Sequence, residues 1–512
     1  MATPADKLAQ SLAALKALQD DGVAAIRARQ LSRLDRERLL KNGFIREVMK
    51  GWYIPSRPDE PAGESTAWYA SFWAFSAAYL TARFGKAWCL SAEQSIALHT
   101  GNWTVPRQLL VRASKGSNKP TALLHGTSVF DVRLDLPPES DVEGLEGLRV
   151  HKLPAALVQC SAGHFAARPV EMRAALAMVT EASEVLSRLL TGGHSTIAGR
   201  LAGAFRNIGR ASVADEILGT MRAAGYAVSE NDPFEGPSAT TFGPRDTSPA
   251  VNRMHITWER MREDILQRFP PAPGLPADPI AYLRAVEDVY ATDAYNSLSI
   301  EGYRVSAELI ERVRSGDWNP ESERDRGHRD ALAARGYWQA FQKVKDSVAG
   351  IIKGESAGDV ARRDHGTWYR ELFAPSVAAG IVAPAELAGY RSDPVFIRRS
   401  MHVPPRAAAV RELMPAYFDH LASETEPAVR VVLGHFVFVY VHPYIDGNGR
   451  IGRFLMNAML ASGGYPWTVI PLVLRDRYMS ALESASVDQD IRPFTDFLAE
   501  LVERPPKEPD AR

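Results

Sequence analysis

The spacing of apolar residues changes character several times along the chain. Residues 6–20 and 22–31 repeat at helical intervals and predict two short helices. "SRLDRERLLKNGF" follows, with Ser32 as an N-cap and Gly43 as a stop, and predicts a third. "FIREVMKGWYIPS" then alternates around Lys50-Gly51, the pattern of a two-stranded wing. Helix, helix, helix and hairpin in residues 1–57 is the order of a winged helix-turn-helix. "RPDEPAGES" (57–65) reads as a linker. Residues 66–160 mix an aromatic-rich helical run with short strands such as "RQLLVRA" and "GLRVHKL", and 169–225 are helical. This predicts a small α/β domain over 58–225, with Trp68, Tyr69, Phe72, Trp73 and Phe75 in its core. "SENDPFEGPSATTFGPRDTSP" (229–249) is the strongest boundary in the chain, within a connecting segment over 226–280. From 281 to 505 the pattern is almost wholly helical, apart from a hairpin expected at 394–405. The fold class expected is mainly α.

Composition adds limits. A chain of 512 residues exceeds a single core, and about two to four domains are expected. A net charge of -1 excludes a wholly basic nucleic-acid coat. Residues 22–57 are nonetheless locally basic, with nine Lys or Arg against three Asp or Glu. Arg33, Arg36, Arg38 and Lys41 fall on the candidate recognition helix, and Arg46 and Lys50 on the wing. These are the candidate phosphate contacts if the segment binds DNA. Winged helices also dock proteins, so the partner of 22–57 stays open between the two. Only Cys89 and Cys160 occur, which fits a reducing cytosol rather than a disulfide framework. The N-terminus lacks a basic start followed by an apolar block. The longest apolar stretches, near Trp68–Ala82 and Val431–Val441, fall short of a membrane span. A cytoplasmic protein without a membrane partner is expected. The oligomeric state, homo-oligomer included, is open.

The chemistry concentrates in "HPYIDGNGR", His442 to Arg450. "VRVVLGHFVFVYV" (429–441) is apolar on nearly every face and predicts a buried helix. Pro443 ends it, because a ring nitrogen cannot donate. "IDGNG" is a turn, and "RIGRFLMNAMLASGG" starts the next helix. A loop feeding a helix N-terminus offers free N–H groups and a favourable dipole to an anion. Gly447 and Gly449 let the backbone approach a phosphate closely. Arg450 and Arg453, three apart, share a helix face and can grip neighbouring phosphates. Asp446 is a hard ligand for a Mg²⁺ held mainly by phosphate oxygens. His442 is suited to taking a proton from a hydroxyl. Together they describe nucleotide-dependent group transfer to an alcohol.

The string His442-Pro443-Tyr444-Ile445-Asp446-Gly447-Asn448-Gly449-Arg450-Ile451-Gly452-Arg453 resembles the signature of the Fic family. The one departure is Tyr444 where the family has Phe. The resemblance implies an all-helical domain with a β-hairpin flap, and a transfer of AMP from ATP to a protein hydroxyl. It makes His442 the general base, Asp446 the Mg²⁺ ligand, and Asn448 and Arg450 contacts to the α- and β-phosphates. Gly447 and Gly449 lend backbone donors. Phosphate-transferring relatives carry Lys at the position of Gly449, so Gly there favours AMP transfer. "VFIRRSMHVPP" (395–405) looks like the flap that holds the target segment by main-chain pairing.

"DAYNSLSIEGYRVS" (293–306) places Ser297 and Glu301 four apart on one helix face, with Gly302 ending the turn. It resembles the family's inhibitory motif, which implies that Glu301 pairs with Arg453. A guanidinium held by a carboxylate cannot also hold the γ-phosphate. The motif precedes the signature in the same chain, which implies restraint by an N-terminal helix. The same Glu supports AMP removal in some relatives.

Residues 1–225 bear a weaker resemblance to AbiEi-type antitoxins, through "LSRLDRERLLKNGFIREVMKGWYIPS". The leading expectation is an autoinhibited AMP-transferase. The alternatives are a DNA-binding regulator whose Fic part senses ATP, and a toxin–antitoxin fusion.

Overall fold

A computed structural model of the chain describes residues 3–60, 64–234, 236, 248–317 and 329–503. Parts of the connecting segments at 57–65 and 229–249, and the last residues of the expected 281–505 domain, lie outside the described residues. Cα packing divides the chain into two compact units. One comprises Met1–Arg253 with Phe396–Val403, and the other Met254–Val395 with Pro404–Arg512.

In the first unit, α1 (Pro4–Asp20) starts on Thr3, which exchanges hydrogen bonds with Asp6. Helix α2 (Arg33–Lys41) starts where Ser32 accepts from the Asp35 N–H at 3.1 Å. Strands β2 (Ile45–Met49) and β3 (Trp52–Pro55) pair antiparallel around Gly51, where the wing was expected. Strand β1 (Ile26–Arg27) pairs with the other edge of β3, giving the order β1-β3-β2. The helix expected at 22–31 is therefore absent, apart from a 3₁₀ turn at Ala28–Gln30. Ile26 is fully buried beside Leu15, Leu39, Ile45 and Tyr53, and that burial outweighs a helix too short to stand alone.

Helix α3 (Thr66–Phe84) buries Trp68, Tyr69, Phe72, Trp73 and Phe75 as expected. They pack against a sheet of β4 (Trp88–Leu90), β5 (Gln108–Ala113), β6 (Pro120–Ala122) and β7 (Ser128–Arg133), in the order β4-β5-β7-β6. Helices from Leu153 to Ala223 gather around a separate apolar cluster. Phe396–Val403 belongs to this unit: the Val105 N–H donates to Met401 O at 2.9 Å, and Arg398 pairs with Glu64.

The second unit is helical. Its centre is the Pro427–Val441 helix, whose Val429, Val431, Val432, Leu433, Phe436 and Phe438 are buried. Each such side chain contributes roughly 1.5–3 kcal/mol by leaving water. It packs against the Asn448–Gly463 helix, which Gly464 closes in a left-handed conformation. The hairpin expected at 394–405 has no strand ladder. Pro394, Pro404 and Pro405 remove donors from both arms, and the tip is a turn with Arg399 at φ 61°.

Candidate active site

The two central helices meet in the tight loop His442–Gly447. His442 ends the first helix in a left-handed conformation, φ 52° and ψ 59°, unusual for a residue with a Cβ. Tyr444 is buried and stacks on Tyr369, with ring centroids 3.8 Å apart. Asn448 brackets Tyr444: its Oδ1 accepts from the Tyr444 N–H at 2.9 Å, and its Nδ2 donates to Tyr444 O at 2.8 Å. The Asn448 amide thus orders the loop. Gly447 caps the second helix at φ 81°, and a Cβ there would lie 2.8 Å from the Phe373 ring. Only glycine satisfies both conditions.

Two buried guanidiniums face this helix start. Arg450 is 1% exposed and lies between the rings of Tyr303 and Phe373, 5.1 and 5.0 Å from their centroids. Among the described residues its one carboxylate contact is Asp446 at 3.4 Å, and its Nε has no partner. Arg453 is 3% exposed; its Nε donates to Ser297 Oγ at 2.8 Å and its Nη2 to Ser297 O at 3.0 Å. Nη2 also donates to Glu301 Oε1 at 2.7 Å, while Nη1 has no hydrogen-bond partner among the described residues. Burial works against the Arg453 charge, but Glu301 beside it outweighs that and the net shift is upward. Buried donors left unpaired cost free energy that an anion would recover. The apolar sandwich around Arg450 also keeps water from competing for such an anion.

His442 is partly buried. Its Nδ1 lies 3.1 Å from Val439 O, which assigns the ring proton to Nδ1 and leaves Nε2 as an acceptor. Burial lowers its pKa to about 4, so the imidazole is neutral at pH 7. A neutral ring with a free Nε2 can accept a hydroxyl proton.

The Tyr290–Ile300 helix delivers Ser297, and Glu301 is its C-cap. Gly302 follows at φ 89°. The Glu301 carboxylate comes so close to the second helix that a Cβ on Gly449 would lie 2.2 Å from Oε1. Three contacts without a sequence signal hold this helix. Tyr337 donates to the buried Asp293 carboxylate at 2.6 Å, Arg475 donates to Ile300 O at 3.0 Å, and the Leu472 N–H donates to Asn296 Oδ1 at 2.7 Å. Burial pushes the Asp293 pKa up to about 6, against the Tyr337 bond that lowers it.

The structure thus brings His442, Asp446, Gly447, Asn448, Gly449, Arg450 and Arg453 together with Ser297, Glu301 and Gly302. Tyr303, Phe373, Tyr369 and Asp293 complete the place and were not expected. The Asp446 side chain is 57% exposed, and no group of three or more potential ligands forms a metal cluster among the described residues. One accessible carboxylate fits a Mg²⁺ that takes its other ligands from phosphate and water.

The basic residues of 22–57 are less concerted. Arg33 pairs with Glu37 at 2.8 Å and Arg38 with Asp35 at 3.7 Å. Arg36 donates to Ala28 O, and Arg46 is bound by Glu60 and the Glu64 carbonyl. Lys41 and Lys50 are exposed, with no ion pair among the described residues. Arg46 is thus taken up in holding the wing to the next segment.

Residues 365–460, which include this whole loop, match the model of the Fic/DOC family. Among curated relatives, the chain is 29% identical over 276 residues to a protein adenylyltransferase Fic of Nematostella vectensis, covering 52% of this chain and 61% of that one. It is 39% identical over 228 residues to a protein adenylyltransferase Fic of Drosophila willistoni, covering 44% of this chain and 42% of the relative. The chain therefore spans less than two thirds of either relative. Among solved structures, Fic-1 (residues 134–508) from C. elegans aligns with a TM-score of 0.34 at 20% identity, over 65% of this chain and 89% of that one. Helices, not the first unit's strands, dominate the described residues. No helix among the described residues is long and apolar enough to cross a membrane.

Proposed function

We propose that this protein is a Mg²⁺-dependent adenylyltransferase that moves AMP from ATP to a hydroxyl of another protein. One observation carries the reading: two buried guanidiniums, each with an N–H group that has no partner among the described residues, converge on a helix N-terminus next to a neutral histidine. Arg450 and the backbone donors at Gly447 and Gly449 hold the α- and β-phosphates, and Arg453 holds the γ-phosphate. The target's hydroxyl oxygen bonds to the α-phosphorus while its proton passes to His442 Nε2. The bond from that phosphorus to the α,β-bridging oxygen breaks, and pyrophosphate leaves. Asp446 holds Mg²⁺, which neutralises phosphate charge when bound. The target segment docks along 395–405, as the family resemblance implies.

The same reading makes Glu301 an inhibitor. While Arg453 is paired with it, ATP binds with its phosphates misplaced and in-line attack is lost. The reverse chemistry belongs to the proposal too: water replaces the target oxygen on the phosphorus, and the target recovers its hydroxyl. Free, buried Cys89 and Cys160 support a reducing cytoplasm as its location.

The test is intact mass after incubation with ATP and Mg²⁺. Glu301→Gly should gain one AMP, and Glu301→Gly with His442→Ala should gain none. If Glu301→Gly and wild type both stay unmodified and unreactive toward added protein hydroxyls, the transferase reading is wrong.

A second reading, a DNA-binding regulator with the Fic domain as ATP sensor, is favoured by the β1-β3-β2 winged sheet and its unpaired Lys41 and Lys50. Salt-dependent DNA binding that weakens on Lys41→Ala and Lys50→Ala would support it. Equal binding by the double variant would remove it.

A further inference from the structure

Arg391 is 3% exposed and pairs with no carboxylate among the described residues. All its partners are backbone carbonyls. Nε donates to His442 O at 2.8 Å, Nη1 to Asp393 O at 3.1 Å, and Nη2 to Val441 O at 3.3 Å and to Pro405 O. Its own backbone N–H donates to Pro443 O at 2.9 Å. One residue therefore meets the carbonyls of three consecutive positions, 441, 442 and 443, and both ends of the 394–404 loop.

These contacts surround a strained residue. His442 holds a left-handed conformation that costs about 1–2 kcal/mol and persists only where its surroundings over-determine it. The Val441 and His442 carbonyls lie at the C-terminal end of a helix, where they have no partner inside it. A cation there satisfies them and opposes the helix dipole. The planar fork of a guanidinium spans several acceptors, which an ammonium cannot.

We propose that Arg391 is a positioning residue for AMP transfer: by fixing the backbone on both sides of His442 to Asp393 and Pro405, it aims the imidazole at the target's hydroxyl. The inference rests on the transferase reading. Arg391 contacts neither Arg450 nor Arg453, so ATP binding does not depend on it. The charged groups facing the His442 ring are Arg391, Glu301 and Asp446, and the Arg391 charge helps keep that ring neutral.

The experiment uses the full chain with Glu301→Gly as parent, and compares Arg391→Lys and Arg391→Gln by initial rates with ATP and Mg²⁺ across pH. The expected result for both is a fall in kcat of about 10²-fold, with the KM for ATP within a few-fold of the parent. Arg391→Gln removes the charge as well, so its acid limb should move to higher pH. Arg391→Lys keeps the charge and should leave that limb in place. An inactive parent would overturn the transferase reading rather than this one. An active parent with unchanged kcat in both variants overturns the positioning role. So does a parallel fall in kcat, ATP affinity and melting temperature, which is what a merely structural arginine predicts. If neither variant folds by circular dichroism, Arg391 is a folding residue and the inference falls.

Discussion

Two helices of this protein each carry a pair of arginines close in sequence, and they use them in opposite ways. On α2, Arg33 and Arg38 are exposed or half-exposed and find carboxylates on their own helix. On the Asn448–Gly463 helix, Arg450 and Arg453 are buried, and each keeps an N–H group without a partner among the described residues. A charge count along the sequence treats the two alike. The physics does not, because a surface pair is worth a few tenths of a kcal/mol while a buried unpaired donor costs several times that. A site declares itself by polar groups whose cost the fold alone does not offset.

The contrast can be broken most forcefully at Arg450. Arg450→Ala in the Glu301→Gly parent should lower AMP transfer by roughly 10²–10³-fold, read as the initial rate of mass gain. A rate within a few-fold of the parent would mean that its burial serves packing alone. Arg453→Ala should come next, this time in stability. It strands Glu301 and opens space among Ser297 and Tyr337, and should cost roughly 3 kcal/mol by urea denaturation.

Protonation sharpens the contrast within the buried set. His435 is fully buried and bonded to Tyr478 O–H at 2.7 Å, and burial lowers its pKa to about 4 from the ordinary 6.5. The unfolded chain binds that proton first, so the stability His435 contributes is full above pH 6.5 and is lost as pH falls toward 4. Asp293 has the opposite sign. Its pKa is raised to about 6 from 3.8, so its contribution is full below 3.8 and lost as pH rises through 6. Asp293→Asn should therefore gain on wild type by roughly 2–3 kcal/mol between pH 4 and pH 7, measured as paired denaturation curves. A pH-independent difference would show that Asp293 does not titrate in this window. The smallest effect belongs to α2: Arg33→Ala should leave the urea midpoint unchanged, because the Glu37 pair it breaks is open to water.

How legible each part was follows from how locally it is encoded. The loop from His442 to Arg453 could be read because cap, turn glycines and phosphate-binding cations sit side by side. The Glu301–Arg453 pair spans 152 residues and was reachable only through a family resemblance. The rings of Tyr303 and Phe373 that enclose Arg450 share no motif with it, and only folding puts them there. The two misread elements failed for physical reasons. Ile26 joins β3 because tertiary burial outranks helical spacing in a short run. The 394–405 segment alternates like a hairpin, yet its prolines lack the donors that a ladder needs.

The closeness of Gly449 to Glu301 has a consequence for how such a protein could change over generations. If Glu301 restrains the site as proposed, a lineage that lost the carboxylate at 301 would shed that restraint in one step and keep the rest of the machinery. A lineage that acquired a side chain at 449 would also push the carboxylate aside, since the clash is with the movable end of Glu301. The same new atoms would then stand where the nucleotide's phosphates are proposed to lie. Release and disablement would arrive in a single codon. Position 449 answers to the resting and the working form of the protein at once, and mutational escape from restraint is open at one of these two neighbours and closed at the other.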